Sequence, residues 1–150
     1  MKVIKPNPNS LLFEDFLNQL IKLTSKLSKQ IGYVPAIVFR EAAKKNNLIL
    51  LVSNNTVVGF CNYNVRKRDK VAVIYEIGTH PAVRGQGGGK LMIKEVLKDN
   101  EIIQLKCPID NESNKFYDKI GVKTGVDDRK KRHLNLWQVT NKTVEEKNGK

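Results

Sequence analysis

A mixed α/β fold, a mostly antiparallel sheet with helices on both faces, is what this 150-residue chain predicts. Three observations carry that reading. Apolar residues recur at helical spacing in some segments and as short bounded runs in others. Polar turns join several of the runs, as they do in antiparallel hairpins. One later run, Ile102 to Lys106, keeps no side for solvent, like a strand in a parallel, doubly covered pair.

The elements follow in order. Lys2 to Lys5 reads as a short first strand, ended by Pro6 and Pro8. Phe13, Phe16, Leu17, Leu20, Leu23 and Leu27 keep helical spacing, so residues 10 to 30 read as an amphipathic helix that Gly32 breaks. Pro35 is placed to open a second helix through Lys45, with Val38, Phe39 and Ala42 inward. Leu48 to Val52 and Thr56 to Val65 read as a hairpin around the tight turn Asn54-Asn55. The basic stretch 66–70 is a second turn, and Val71 to Thr79 the strand beyond it. Residues 88 to 99 form a helix, Ile102 to Lys106 a strand and residues 111 to 120 another helix. Val122 to Val126 and His133 to Val139 close the order as a last hairpin. Residues 1–140 read as one domain, and 141–150 as a polar, flexible tail.

Composition bounds the function. A chain of this length builds one real core, and 40% hydrophobic content suits a soluble protein. No apolar run approaches the roughly 20 residues of a membrane helix, and no signal peptide is visible. A cytoplasmic protein, monomer or homodimer, is therefore expected. Cys61 and Cys107 lie in apolar runs, read as small buried hydrophobes rather than a disulfide or a metal site. The net charge of +12 is the oddity. It fits an anionic partner such as RNA or an acidic protein, or else a solvated lysine-rich surface. Two clusters sharpen the choice, Arg66-Lys67-Arg68-Asp69-Lys70 and Arg129-Lys130-Lys131-Arg132.

The most informative segment is His80-Pro81-Ala82-Val83-Arg84-Gly85-Gln86-Gly87-Gly88-Gly89-Lys90-Leu91, between a predicted strand and a predicted helix. Such a turn gathers backbone N–H groups at the positive end of a helix dipole, which suits a phosphate. Glycine lets the backbone approach without a Cβ in the way. Gly85, Gly87, Gly88 and Gly89 supply more freedom than a bare turn needs. Spacing rejects two familiar loops. A P-loop would need a glycine where Arg84 stands and a hydroxyl where Leu91 stands, and a dinucleotide fingerprint begun at Gly85 ends on Lys90.

What remains, Arg84-x-x-Gly87-x-Gly89, resembles the pyrophosphate loop of the GNAT superfamily, the acyl-CoA-dependent N-acetyltransferases. The preceding Ile77-x-x-His80-Pro81 strengthens the likeness. A second segment, from Cys107 through Asn114, Phe116 and Tyr117 to Gly121-Val122, resembles the family's later motif, in which a short helix carries a tyrosine ahead of a glycine–hydrophobic pair. The family usually has Gly-Phe at that pair. The likeness runs from near the start to about Val139, and the element order matches.

The resemblance implies a sheet whose central parallel pair splays apart, with the pantetheine arm of acetyl-CoA in the gap. It implies cofactor contacts from the strand segment Ile77, Gly78 and Thr79. It implies a pyrophosphate held by Arg84, Gly85, Gln86, Gly87, Gly88, Gly89 and Lys90, and a contact from Asn114 to the CoA arm. Arg84 would add a charge-assisted bond. Tyr117 becomes the candidate general acid for the CoA thiolate, its plainer reading being a core aromatic. Glu76 is the candidate base. A carboxylate in an apolar strand is costly unless paired or solvated, so its plainer reading is an ion pair with a basic neighbour. Many relatives carry a base where this chain has Val71. His80 reads as a loop-shaping residue and His133 as a hairpin residue.

In the resembled family the acceptor side is built from the loop between the first two helices and from the last hairpin, here Gln30 to Pro35 and Asp127 to Arg132. A basic cluster there favours an anionic acceptor, a protein or an aminoacyl-tRNA, over a polycationic aminoglycoside. The alternative is a catalytically weak CoA-binding or basic RNA-binding module on the same fold.

Overall fold

The computed structural model describes residues 1–148. Its elements run β1 (Lys2–Ile4), α1 (Phe13–Lys26), α2 (Ser28–Ile31), α3 (Ala36–Lys44), β2 (Leu48–Ser53), β3 (Thr56–Val65) and β4 (Ala72–Thr79), followed by a 3-10 turn (Pro81–Val83). Then come α4 (Gly88–Leu97), β5 (Ile102–Pro108), α5 (Ser113–Ile120), β6 (Val122–Asp127), β7 (Leu134–Thr140) and α6 (Asn141–Asn148). The strands form a seven-stranded sheet in the order β1-β2-β3-β4-β5-β7-β6. β4 and β5 are parallel, whereas β1–β2, β2–β3, β5–β7 and β6–β7 are antiparallel. This is the mixed, mostly antiparallel sheet expected. The parallel ladder joins Ala72, Val73 and Ile74 to Ile103, Gln104 and Leu105, while β4 continues to Thr79. Among the described residues no helix is long and apolar enough to cross a membrane.

Contacts group the chain into two compact units, Met1–Asn64 with Tyr75–Glu95, and Val65–Ile74 with the chain from Val96 onward. In the first, α1 buries Phe13, Leu17, Leu20 and Leu23, and α3 buries Phe39, Ala42 and Ala43. These stripes share a core with Leu48 and Leu50 of β2 and Phe60 of β3. Phe39 and Phe60 meet edge to face at 5.6 Å between centroids. Two expectations are corrected here. The helix over 10–30 is interrupted at Leu27 (φ −99°, ψ 10°), whose N–H is shared between the Leu23 and Thr24 carbonyls. That tightened turn keeps the Leu27 side chain buried while the backbone changes direction. Val38 is 36% exposed, and Ala43 takes the inward place. Phe39, Ala42 and Ala43 stand at spacings of three and four, and Val38 falls off that stripe. The Asn54-Asn55 turn is as expected, with φ of 50° and 62°, the left-handed pair that a two-residue hairpin needs.

In the second unit, β5 and β7 bury Ile103, Leu105, Cys107, Trp137 and Val139, and α5 adds Tyr117 and Ile120. The stretch expected as a tail is helical as far as Asn148, and residues 149 and 150 lie outside those described. The cause is a reciprocal cap. Thr143 N–H donates to Thr140 Oγ1 at 3.1 Å, and Thr140 N–H donates to Thr143 Oγ1 at 3.0 Å. Thr143 Oγ1 also donates to the Ile120 carbonyl at 2.8 Å, and Val144 is buried. A polar composition had concealed one apolar anchor and two capping threonines. Cys61 and Cys107 are free and buried.

Candidate active site

The glycine loop is built from the strand upward. His80 closes β4 by donating its N–H to the Val58 carbonyl at 2.7 Å. Its ring Nδ1 accepts the Ala82 N–H at 3.0 Å, capping the 3-10 turn. It therefore shapes the loop, as read from the sequence. Arg84, Gly85, Gln86 and Gly87 are exposed, while Gly88 is buried and Gly89 and Lys90 are half-buried. Gly85 and Gly87 have φ of +81° and +84°, a region that side-chain-bearing residues rarely enter. A Cβ on either would meet nothing within 4 Å, so backbone conformation rather than crowding requires glycine there. Gly88 is different, because a Cβ there would lie 2.5 Å from Leu51 Cδ2. Leu91 N–H donates to the Gly87 carbonyl at 3.0 Å and starts α4. The amides of the turn before it have no partner within the helix. Open space over bare backbone at a helix start fits a pyrophosphate.

Glu76 lies on β4, half-buried. The alternation of the strand puts it on the side of Gly78, where a Cβ would touch Leu27 and Phe60. Glu76 Oε2 accepts from Asn62 Nδ2 at 2.7 Å. Burial pushes the carboxyl above its ordinary value, and the Asn62 bond opposes that push. The plainer expectation of an ion pair is corrected, because the partner is a neutral amide. Cys61, beside Asn62, has its thiol raised by burial and then by the Glu76 charge. Ile77, Gly78 and Thr79 continue β4, all half-buried.

In the other unit, Tyr117 is buried on α5, its ring 5.4 Å from Phe116 and 6.2 Å from Trp137. Asn114, one turn earlier, was expected to touch the CoA arm. Its Nδ2 donates to the carbonyls of Pro108 (2.7 Å), Asn111 (2.8 Å) and Ile109 (3.3 Å). Its Oδ1 accepts from Trp137 Nε1 at 2.9 Å and Asn135 Nδ2 at 3.1 Å. Every polar group of the side chain is engaged within the protein, so it works as a bracket joining the end of β5, the start of α5 and β7.

The last turn carries the second basic cluster. Asp127 accepts from the exposed Arg129 through Nε (3.1 Å) and a terminal guanidinium nitrogen (2.9 Å), and it also accepts from Lys106 Nζ at 3.0 Å. Those bonds hold the Asp127 carboxyl far below its ordinary value, Arg129 first and Lys106 second. His133 Nδ1 meets Asp128 Oδ1, which makes it the hairpin residue expected. Lys130, Lys131 and Arg132 are exposed and pair with no carboxylate among the described residues. In the first cluster, Arg66 and Arg68 are both drawn to Asp69.

Sequence reasoning missed Asn62, Trp137 and Asn135. For Asn62 a signal existed, a lone amide in the apolar run Phe60-Cys61-Asn62-Tyr63. No local pattern encodes the register that sets it against Glu76.

Comparisons with known proteins give the family and the fold. Residues 14–122 match the model of the acetyltransferase (GNAT) family. Among solved structures, a GNAT-family acetyltransferase from Bacillus cereus superposes with a TM-score of 0.75 at 15% identity, covering 93% of this chain and 96% of its own. An aminoglycoside 6'-N-acetyltransferase complexed with coenzyme A gives 0.76 at 12% identity, covering 93% and 97%. A Salmonella typhimurium acetyltransferase that modifies the N-terminal serine of a 50S ribosomal subunit protein gives 0.66 at 17%, covering 83% and 87%. No curated protein matches the chain in sequence.

Proposed function

Because the chain belongs to the GNAT acetyltransferase family and is an N-acetyltransferase using acetyl-CoA, we propose that its acceptor is a primary amine set beside negative charge, on a protein or an aminoacyl-tRNA. One observation carries this reading. Asp127 neutralises Arg129, yet Lys130, Lys131 and Arg132 remain exposed and unpaired with carboxylates on the same turn. Like charges packed together repel, so a turn has no structural use for them. They suit a polyanion and disfavour a small polycation. The acceptors named for the similar structures include an aminoglycoside and a ribosomal protein N-terminus, so the fold takes both kinds.

In this reading the loop from Arg84 to Lys90 holds the pyrophosphate of acetyl-CoA, and the backbone of Ile77, Gly78 and Thr79 takes the pantetheine arm. Glu76 removes a proton from the acceptor ammonium, through water. The neutral amine attacks the thioester carbonyl, the C–N bond forms, and the C–S bond breaks. Tyr117 gives its proton to the departing thiolate, and the second proton, shed by the nitrogen as the amide forms, returns to the Tyr117 oxygen. Asn114 fixes the helix that carries Tyr117 rather than contacting the cofactor. A cytoplasmic location belongs to the same reading, supported by two free buried thiols.

The test is to incubate the protein with acetyl-labelled CoA and host lysate, then treat separate portions with ribonuclease and protease. Label in a macromolecular fraction, lost to one of the two treatments, is the expected result. Label confined to small basic amines would overturn the anionic acceptor.

A further inference from the structure

We propose that Asn62 is a positioning residue for the acetyl transfer: its side-chain amide holds one oxygen of Glu76 and leaves the other turned to take the proton of the acceptor amine. The inference rests on the reading of Glu76 as the base, and its test separates the two. Asn62 is 4% exposed, on β3 in a run of otherwise apolar buried residues. A buried amide there costs free energy unless its hydrogen bonds are made. Its Nδ2 makes one to Glu76 Oε2 at 2.7 Å. An apolar residue would fill the strand at lower cost, so the amide is retained for what it does to the carboxylate.

The charge of the partner matters most. A lysine or arginine against Glu76 would fix it as a carboxylate and make it a poor base. No cation pairs with Glu76 among the described residues. A neutral donor aligns the carboxylate without locking its charge. Burial then acts on Glu76 in the direction a base working near neutral pH requires. Gly78, next on the same side of β4, and Phe60, two residues before Asn62, are apolar. The titratable neighbour on β3 is the Cys61 thiol, raised and so neutral across the working range. Glu76 Oε2 is committed to Asn62, whereas Oε1 has no donor among the described residues and is not a buried orphan, so it is the oxygen open to water.

The test uses the full chain, acetyl-CoA and a synthetic peptide with a free N-terminal amine. Thiol release is followed against pH for the parent, Asn62→Leu, Glu76→Gln and the double variant. Carbon NMR of labelled glutamate follows the Glu76 carboxyl directly in parent, Asn62→Leu and Asn62→Ser, with Glu76→Gln assigning the signal. Removing the amide removes a bond that favours the charged form. The Glu76 titration and the acidic limb of kcat/KM should therefore both move to higher pH. The rate near neutral pH should fall about tenfold and partly recover in base. In the Glu76→Gln background, Asn62→Leu should add no further pH shift. If Glu76→Gln loses the limb but the Asn62 variants leave limb and titration in place, Asn62 is only packing and the proposal fails alone. If Glu76→Gln keeps the full rate and the limb, the base reading fails and takes this proposal with it. Should the leucine variant not fold, the serine variant's carbon titration decides.

Discussion

The glycine loop and the basic hairpin are both exposed turns, and in the function proposed above they recognise in opposite ways. The loop over 84–90 offers backbone. Its glycines carry no side chains, its conformation needs φ values of +81° and +84°, and its positive end comes from a helix start. The hairpin over 128–133 offers side chains, with one exposed arginine paired to Asp127 and three other exposed cations paired with no carboxylate among the described residues. Backbone recognition suits a ligand that never changes, because any residue that keeps the conformation will serve. Side-chain recognition suits a partner that differs between relatives, because one substitution retunes it.

The strongest way to break this contrast is Gly87→Asp. It puts a side chain at φ +84° and negative charge against the pyrophosphate. Calorimetry should show CoA binding weakened by on the order of 3 kcal/mol or more. Near-parental affinity in a folded variant would show that the phosphates bind elsewhere. Tyr117→Phe comes next. It keeps the ring that packs on Phe116 and Trp137 and removes the proton donor. Turnover should drop about 10²-fold or more with CoA affinity retained, and a drop below about threefold would leave Tyr117 as a core aromatic.

Replacing Lys130, Lys131 and Arg132 with serine should raise the acceptor KM about tenfold and flatten its dependence on salt, since fewer counterions are released. The CoA constant should stay put. Equal KM and equal salt response at two ionic strengths would reduce the cluster to a solvated turn. The smallest effect is on stability. Glu76 has a raised carboxyl in the folded chain, so the fold is favoured while the group is protonated and loses that stability as pH rises through its folded value. Glu76→Gln should therefore raise Tm by on the order of 2 °C near pH 8 and leave it unchanged near pH 4. A gain of equal size at both would locate the effect in packing rather than charge.

Much of this was legible in the sequence because the signals are local. The hairpin around Asn54-Asn55 and the strand Thr56–Val65 stand where turn chemistry and alternation put them. The glycine loop was readable for the same reason, since spacing alone rejects the competing loops. What was not legible depends on partners distant in sequence. Asn114 looked like a free polar group on a helix face, and only the arrival of Trp137 and Asn135 from β7 turns it into a bracket. Val38 and Ala43 exchanged places because a short helix leaves the phase of its stripe undecided until Phe39 finds Phe60. The partner of Glu76 needed strand register, which no local pattern encodes.

The two cysteines carry a practical consequence for anyone measuring this enzyme. The reaction releases the thiol of CoA, and disulfide reagents that count it react with thiolates. Cys107 is pushed up to about 11 by burial and by Asp110, and Cys61 is raised further still. The native protein is therefore nearly silent in such an assay, and the colour reports product alone. A slow upward drift without acceptor would mean that a buried thiol had become reachable, so one cuvette reads both turnover and the integrity of the fold around the two cysteines.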